Sequence, residues 1–319
     1  MKEASIPVVD LKDLRSGGPR RAAFVRTMGD ALRDIGFFAV RNHDVTPDAI
    51  ALAYEKARAF FALPLDQKRR YELAAKKGQR GFTSFGKEHA KGSQAPDLKE
   101  FWQVGRTDVP DDHPVHGVYG GNLWPEDVTP GFQGALTRLY EGLESLGREL
   151  LLCCAEYLEE ETQWYEDAAM EGDTILRVIH YPPVAADAAV SSIRAAAHED
   201  INLITLLCGA TAEGLELLQR DGSWLPVVAG HDEIIVDAGD MLQNVTNGLF
   251  KSTTHRVVRP AGELADQPRF SMPCFLHPRG DVDLTPRSRC LDLTGGTARY
   301  PSITAGEYLA QRLREIGLA

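Results

Sequence analysis

From residue 172 onward the chain consists of short runs of β-forming residues separated by turn residues, and this pattern restricts the fold more than any other feature. Eight such runs follow one another: TILRVIHY, the segment from His198 to Leu207, LELLQ, WLPVV, EIIVD, MLQNVT, HRVVR and FSMPCFL. The residues Arg-Asp-Gly-Ser between LELLQ and WLPVV are typical of a hairpin turn. Many short strands with turns between them indicate a β-barrel or jelly roll.

Helical patterns lie on both sides of this β-rich part. Apolar side chains recur at helical spacing over residues 18–34, and a second helix with Pro47 in its first turn is predicted over residues 46–62. The longest pattern covers residues 130–158 and carries a continuous apolar stripe, which predicts a helix packed on the core. Thr304 is a suitable N-cap for a last helix.

The charge and the cysteine content exclude several classes of protein. A net charge of −11 argues against binding to nucleic acid or to an anionic membrane, because both need clustered Lys and Arg. No run approaches the roughly 18 apolar residues of a membrane span, and the N-terminus lacks the apolar region of a signal peptide. The 5 cysteines include no CxxC pair, so we expect reduced thiols in a cytoplasmic protein. No motif defines the oligomeric state, and a monomer is compatible with the sequence.

Three side chains in the β-rich part form a pattern of metal ligands. If the segment around His198 is a strand, His198 and Asp200 project from one face and Glu199 from the other. This pair alone is weak evidence, because short motifs often match by chance. His255 lies in another β-like run, HRVVR, and supplies a third ligand. Two histidines and one carboxylate leave open positions on the ion, as in the facial triad of non-haem iron(II) oxygenases.

A candidate anion site follows the third ligand. Arg269 and Ser271 alternate along a β-like run, so their side chains share a face. A guanidinium fork beside a hydroxyl is a good receptor for a carboxylate. An arginine taken alone is more often part of a surface ion pair, and it is the position after His255 that favours an anchor for an acidic co-substrate.

Taken together, these motifs resemble the isopenicillin N synthase-like branch of the 2-oxoglutarate/iron(II) dioxygenases, and the resemblance covers nearly the whole chain. IPVVDL, GFFAVRNH, AFFALPLDQKRRYE, RGFTSFGKEHAKG and DLKEFWQVGR are similar to its N-terminal and middle segments. HYPP, HED, NGLFKSTTHRV and RFS are similar to its metal and co-substrate motifs, in the same order.

The resemblance implies a mainly β fold with flanking helices and a double-stranded β-helix core, a cupin-like jelly roll. Iron(II) is then expected inside one end of the barrel, held by His198, Asp200 and His255. On this basis we divide the chain into four parts: an N-terminal α/β region (1–115), a scaffold helix (116–171), the jelly-roll core (172–285) and a C-terminal helix that caps the core (286–319).

The resemblance also implies a site for 2-oxoglutarate. Arg269 and Ser271 are expected to hold its distal carboxylate, and Tyr181 matches a family tyrosine near the co-substrate. The sequence departs from the pattern of many plant members at Ile179, where those members carry Asn. Arg177 is a candidate to replace that polar contact.

The resemblance therefore implies an iron(II)- and 2-oxoglutarate-dependent dioxygenase. Such an enzyme uses O2 to couple decarboxylation of 2-oxoglutarate to succinate with hydroxylation, desaturation or cyclisation of a small-molecule substrate. The family scheme needs no catalytic acid or base beyond the metal ligands. We expect substrate contacts from six side chains, and core packing explains the aromatic and aliphatic ones among them at least as well: Arg177, Phe85, Phe101, Leu203, Thr205 and Phe275.

Three alternatives remain open from the sequence. The first is an oxidase or ethylene-forming enzyme of the same fold that does not use 2-oxoglutarate as a simple co-substrate. The second is a metal-binding jelly roll without catalytic activity. The third is a zinc hydrolase, which needs a general base beside the metal; Glu199 is adjacent but is expected on the wrong strand face.

Overall fold

The computed structural model describes residues 5–87, 99–110, 112, 120–183, 194–209, 214–230, 232–258 and 267–315. Within these residues the strands are β1 (Val8–Asp10), β2 (Phe37–Arg41), β3 (Gly81–Thr83), β4 (Glu100–Val104), β5 (Ile175–Tyr181), β6 (Ala195–His198), β7 (Ile204–Cys208), β8 (Leu215–Leu218), β9 (Trp224–Pro226), β10 (Glu233–Ala238), β11 (His255–Val257), β12 (Arg269–Ser271) and β13 (Pro273–Leu276). The helices are α1 (Leu11–Arg15), α2 (Gly18–Asp34), α3 (Pro47–Phe61), α4 (Leu65–Arg69), α5 (Phe132–Leu158), α6 (Thr162–Ala169), α7 (Asp240–Val245), α8 (Ser288–Leu293) and α9 (Ala305–Glu315), with a 3-10 turn at Ala74–Lys76.

Two sheets form the β-rich core, as the sequence predicts. The larger sheet has the strand order β1-β2-β10-β7-β13-β5-β4-β3, and β12 pairs with the C-terminal half of β5. The smaller sheet has the order β6-β11-β8-β9, and its β8–β9 pair is the hairpin predicted from LELLQ and WLPVV. Side chains of both sheets line one cavity, so the sheets face each other as the two halves of a jelly roll.

Strands from the N-terminal part extend the larger sheet on both sides. β1 and β2 join it through β10, and β3 and β4 join it through β5. Residues far apart in the sequence therefore share one hydrogen-bonded layer. The N-terminal part contributes directly to the wall of the cavity.

Helix α5 packs on the outer face of the larger sheet and forms the other side of the main core. Its predicted apolar stripe is buried: Leu136, Leu139, Leu143, Leu146, Leu150 and Cys154. The helix comes closest to the sheet at Gly147, where a Cβ atom would collide with Leu276 of β13. A glycine at this position lets the helix backbone approach the strands.

Two local predictions from the sequence are wrong. MLQNVT, expected as a strand, is part of helix α7, because Met241, Leu242 and Val245 bury one helical face and Asp240 lies in the favourable first turn. The run from His198 to Leu207 is not one strand either. β6 ends at His198 and β7 begins at Ile204, with a turn between them.

Other predictions are confirmed. Helix α9 begins with the expected cap: the Glu307 amide donates to the Thr304 hydroxyl oxygen (3.3 Å), and the Thr304 amide donates to the Glu307 carboxylate (3.1 Å). All 5 cysteines are buried free thiols. None of the helices in the described residues is both long enough and apolar enough to cross a membrane.

Candidate metal centre

A cavity of about 320 Å³ lies between the two sheets. Alternate residues of β5 point into it, which is the period of two expected for one face of a strand. The opposite wall comes from β6, β8 and β11 of the smaller sheet. Leu309, Arg312 and Leu313 of helix α9 complete the lining. The Arg312 guanidinium donates to the Asp240 carboxylate (2.5 Å), which attaches α9 to α7.

The three predicted metal ligands come together at this cavity. β6 and β11 pair so that His198 lies directly opposite His255. Asp200 follows in the turn after β6, and its Oδ1 is 3.8 Å from His198 Nε2 and 3.7 Å from His255 Nε2. One ligand atom from each residue lies within 4.8 Å of the others. The turn, rather than the strand alternation expected from the sequence, brings Asp200 beside the histidines.

Both histidines are held in the same tautomer. His198 Nδ1 donates to the carbonyl of Ala196 (2.7 Å), and His255 Nδ1 donates to the carbonyl of Thr253 (3.1 Å). Each Nε2 therefore carries the lone pair, and both lone pairs are directed to the side of Asp200 Oδ1. Burial and the neighbouring His255 lower the pKa of His198, so its ring is neutral at physiological pH.

Hydrogen bonds also orient the carboxylate of Asp200. The Thr205 hydroxyl donates to Asp200 Oδ2, and Asn202 Nδ2 donates to Thr205 Oγ1 (2.8 Å). Oδ1 is thus left facing the two imidazole nitrogens. Gly239 makes room for this chain of hydrogen bonds, because a Cβ atom there would collide with Asn202. Thr205 was expected to contact the substrate, and no pattern in the sequence indicated Asn202.

This donor set fits a divalent metal such as iron(II). Two imidazole nitrogens and one carboxylate oxygen, all on one side, leave the remaining positions of an octahedral ion open. Asp200 and His255 are buried, with 7% and 9% of their side chains exposed, whereas 37% of the His198 side chain is exposed. The open side of the site therefore faces the cavity.

The predicted anion site lies in the same cavity. Arg269 of β12 is buried and lies opposite Tyr181 of β5, with its guanidinium carbon 5.2 Å from the centre of the tyrosine ring. Both residues line the cavity. Ser271 is buried opposite Ile179, but it is not among the lining residues. Ile179 itself lines the cavity, so the side chain at this position is apolar.

Of the six predicted substrate contacts, three line the cavity and three do not. Arg177, Thr205 and Phe275 line the cavity. Phe101 is buried just behind the wall, with its ring 4.5 Å from the guanidinium carbon of Arg177. Leu203 is fully buried in the main core, and Phe85 is 41% exposed; neither lines the cavity in the part of the chain that the structure describes.

Several polar lining residues were not identified from the sequence. Lys99 and Gln103 come from the β4 region, and Asp237 comes from β10. Burial and, to a smaller degree, Asp200 raise the pKa of Asp237 well above its usual range. The EIIVD run could have indicated Asp237 as a functional residue, because an acidic side chain at the end of a buried strand is unusual. No local pattern indicated Lys99 and Gln103, because β4 reaches the cavity only by pairing with β5, over seventy residues away in the sequence.

Comparison with known proteins gives two family matches. Residues 6–127 match the N-terminal region described for non-haem dioxygenase in morphine synthesis, and residues 172–278 match the 2OG-Fe(II) oxygenase superfamily. Proline hydroxylase buaE of Petromyces alliaceus is 31% identical over 319 residues, which cover 96% of this chain and 97% of that protein. A 2-oxoglutarate-Fe(II) type oxidoreductase of Aspergillus fumigatus is 29% identical over 92% of this chain and 88% of its own length.

Solved structures that are similar to this chain include 2OG-Fe(II) oxygenase folds. A 2OG-Fe(II) oxygenase family protein from Caulobacter crescentus is similar with a TM-score of 0.87 and 39% identity, covering 98% of this chain and 99% of that one. A full-length protein of Neurospora crassa, solved in complex with alpha-KG, is similar with a TM-score of 0.86 and 26% identity, covering 97% of this chain and 95% of that one.

Proposed function

We propose a function from the premise that this chain belongs to the 2OG-Fe(II) oxygenase superfamily. It is an iron(II)- and 2-oxoglutarate-dependent dioxygenase, an oxidoreductase that uses O2. In our proposal His198, Asp200 and His255 hold the iron, and Arg269 anchors 2-oxoglutarate. The observation that carries the metal assignment is the convergence of two Nε2 lone pairs and Asp200 Oδ1, each ligand being held from behind by a hydrogen bond.

The protein supplies binding and orientation, and the bound groups supply the redox chemistry. Iron held by His198, Asp200 and His255 would supply the activation of O2 that couples decarboxylation of 2-oxoglutarate to succinate with oxidation of a small molecule. Arg269 presents a planar fork of N–H donors that matches a carboxylate. A buried apolar cluster lies at this end of the cavity and consists of Phe101, Ile179, Tyr181, Ala195 and Val257. Charge-assisted hydrogen bonds are stronger where such side chains exclude water. Tyr181, which lines the cavity, is proposed as a further contact of the co-substrate. Ser271 is buried outside the cavity lining, so its contact with the co-substrate stays a prediction from the sequence.

Hydroxylation is the reaction we propose for the substrate. Relatives of similar length include proteins described as a proline hydroxylase and a homoarginine-6-hydroxylase, and the Neurospora crassa protein has also been crystallised with thymine. All of these descriptions refer to small molecules, which supports a small-molecule substrate here. Product analysis distinguishes hydroxylation from desaturation, cyclisation or ethylene formation.

Two alternatives from the sequence lose their support. A zinc hydrolase conflicts with membership of the 2OG-Fe(II) oxygenase superfamily. The expectation that Glu199 points away is wrong, because Glu199 lies beyond the end of β6 and lines the cavity, where it accepts a hydrogen bond from the Thr254 hydroxyl. A jelly roll without catalytic activity conflicts with membership of an enzyme family.

We also propose a cytoplasmic location. Burial raises the pKa of several of the thiols, among them Cys153, Cys154 and Cys208, so little of the reactive thiolate forms. Cysteines that stay reduced are typical of a reducing compartment such as the cytoplasm. Labelling of the denatured protein directly after cell lysis is expected to detect every cysteine as a thiol. A disulfide in the lysate would contradict this location.

The metal assignment and the 2-oxoglutarate assignment are each tested by one substitution. We expect His198→Ala to abolish iron-dependent succinate formation, because only two ligands remain. We expect Arg269→Ala to raise the KM for 2-oxoglutarate by tenfold or more, on the order of 1.4 kcal/mol, with little change in metal affinity. Full turnover by His198→Ala, or an unchanged KM in Arg269→Ala, would contradict the respective assignment. Circular dichroism verifies that both variants are folded.

A further inference from the structure

A buried carboxyl group near the end of β10 lines the cavity and has no role in the proposed function. Asp237 is 4% exposed and is one of the lining residues. Ile235, two residues earlier on β10, lines the cavity as well, so both side chains project from the same face of the strand. The Asp237 carboxyl is therefore directed into the cavity.

The Asp237 carboxyl has no hydrogen-bond partner among the described residues. In the sheet it lies opposite Phe37 of β2 and opposite Thr205 of β7. The phenyl ring offers no donor, and the Thr205 hydroxyl donates to Asp200 while it accepts from Asn202. Burial and the charge of Asp200 both raise the pKa of Asp237, and no cation of the described chain opposes them. A ligand that supplies a partner for this group therefore gains binding free energy.

Asp237 lies next to the proposed metal centre. On one side of it, Thr205 donates to the carboxylate of Asp200. On the other side, the ring of Phe37 contacts the ring of His255 edge-on, with 5.5 Å between ring centres. A group bound at Asp237 is thus held close to the metal position, where the substrate is oxidised in the proposed function.

The co-substrate does not supply the missing partner. The 2-oxoglutarate dianion has no N–H or O–H group, and two carboxylates repel each other. Its distal carboxylate is also far away in the proposed function, because Arg269 lies opposite the last residue of β5. Asp237 is aligned, across β7 and β13, with Ile175, the first residue of β5. The two ends of this strand are about 20 Å apart.

We propose that Asp237 binds a hydrogen-bond donor of the substrate, an N–H or O–H group. A carboxyl group keeps at least one acceptor oxygen in both of its protonation states, so a donor is the complementary group in either state. The sheet face around Asp237 is apolar and includes Phe37, Ile235 and Leu207. The substrate class that fits is therefore a small alcohol, amide or amine with an apolar body. This inference rests on the proposed function, because it takes the same cavity to be the substrate site.

The test uses pairs of probes in which methyl groups replace the donor hydrogens. The pairs are δ-valerolactam with its N-methyl derivative, benzyl alcohol with benzyl methyl ether, and benzylamine with benzyltrimethylammonium, so they distinguish an amide, a hydroxyl and an ammonium donor. Each Kd is measured on the protein loaded with Mn(II) and N-oxalylglycine, an inert analogue of 2-oxoglutarate, from the relaxation of the probe protons by Mn(II). We expect at least one donor to bind about tenfold or more tightly than its methylated partner.

Variants of Asp237 separate the hydrogen bond from a steric effect of the methyl groups. Asp237→Leu and Asp237→Ala remove the acceptor and are expected to abolish the preference for the donor. Asp237→Asn retains a carbonyl oxygen and is expected to keep part of it. Glu199→Gln is the control, because Glu199 also lines the cavity but already accepts a hydrogen bond from Thr254. This variant is expected to keep the full preference.

The stability of the apolar variants separates a ligand-binding role from a structural one. In the protein without ligand, the Asp237 carboxyl is buried without a partner among the described residues, so its removal is expected to raise the urea concentration at the unfolding midpoint. Asp237→Ala guards against overpacking by leucine. A lower midpoint in both variants would show that the carboxyl stabilises the fold, and would overturn the proposal.

The proposal is also overturned if no donor binds more tightly than its methylated partner, including the case in which no probe binds. The same holds if the preference persists in both apolar variants, or if Glu199→Gln loses it to the same extent. Loss of Mn(II) or N-oxalylglycine binding in the apolar variants would assign Asp237 to the metal centre instead. Failure of the proposed function is distinct, because the unsubstituted protein would then not bind Mn(II) and N-oxalylglycine before any probe is added.

Discussion

At the scale of single residues, the proposed metal centre is organised by hydrogen bonds on the side of each proposed ligand that faces away from the metal position. The carbonyls of Ala196 and Thr253 fix the two imidazole tautomers, and Thr205 holds the carboxylate of Asp200. Such outer partners typically change metal affinity by about 10- to 100-fold. The ligands alone therefore do not define the strength of the site.

Thr205 gives the sharpest test of this view. We expect Thr205→Val, which keeps the shape but removes the hydroxyl, to weaken Mn(II) binding by about 10- to 100-fold, because Asp200 Oδ2 loses its hydrogen-bond donor. Thr205→Ser keeps the hydroxyl and is expected to bind the metal nearly as the unsubstituted protein does. Electron paramagnetic resonance of free Mn(II) measures both affinities. Equal affinity in the valine and serine variants would show that the hydroxyl has no part in metal binding.

At the scale of secondary-structure elements, a buried ionic network joins α4, β4 and β5 behind the cavity wall. Lys68 Nζ donates to both carboxylate oxygens of Glu100 (2.8 Å each), and His180 Nδ1 lies 2.8 Å from the same carboxylate. The His180 ring stacks on Phe270 with 4.7 Å between ring centres. Since Phe270 lies between Arg269 and Ser271 on β12, the network supports the strand that carries the anion site.

Removing the charge of Glu100 is therefore expected to destabilise the fold. Glu100→Gln leaves the buried ammonium of Lys68 without its counter-ion, and breaking such pairs costs about 3–5 kcal/mol. Urea unfolding measures the free energy of unfolding. Glu156→Gln is the control, because the Arg21–Glu156 pair is exposed and we expect a loss of about 0–1 kcal/mol. A similarly small loss in Glu100→Gln would contradict the role of the network.

Much of the element structure could be predicted from the sequence, and the errors have physical causes. The stripe of α5 and the β8–β9 hairpin depend on residues close together in the chain, so local patterns identify them. MLQNVT was misassigned because a short apolar run suits a strand or a buried helix equally. The turn after His198 was missed because its backbone is fixed by distant contacts, such as the Asp240 amide that donates to the Asp200 carbonyl (2.8 Å).

At the scale of the whole molecule, the larger sheet collects residues from the entire chain around one cavity. Phe37 of β2 contacts the ring of His255 edge-on, with 5.5 Å between ring centres, although more than two hundred residues separate them. Motifs in the sequence indicated the three proposed metal ligands and Arg269. It could not reveal that Lys99, Gln103 and Asp237 share their cavity, because long-range strand pairing decides which side chains meet.

In the proposed function, one cavity holds iron at one side and 2-oxoglutarate beside it. Anaerobic titration of the protein with iron(II) and 2-oxoglutarate tests this most directly, because 2-oxoglutarate chelated to the metal produces a visible charge-transfer band. We expect the band in the unsubstituted protein and in Glu199→Gln, which removes the neighbouring carboxylate, and we expect its loss in Asp200→Ala. Absence of the band from the unsubstituted protein, or an unchanged band in Asp200→Ala, would contradict the account.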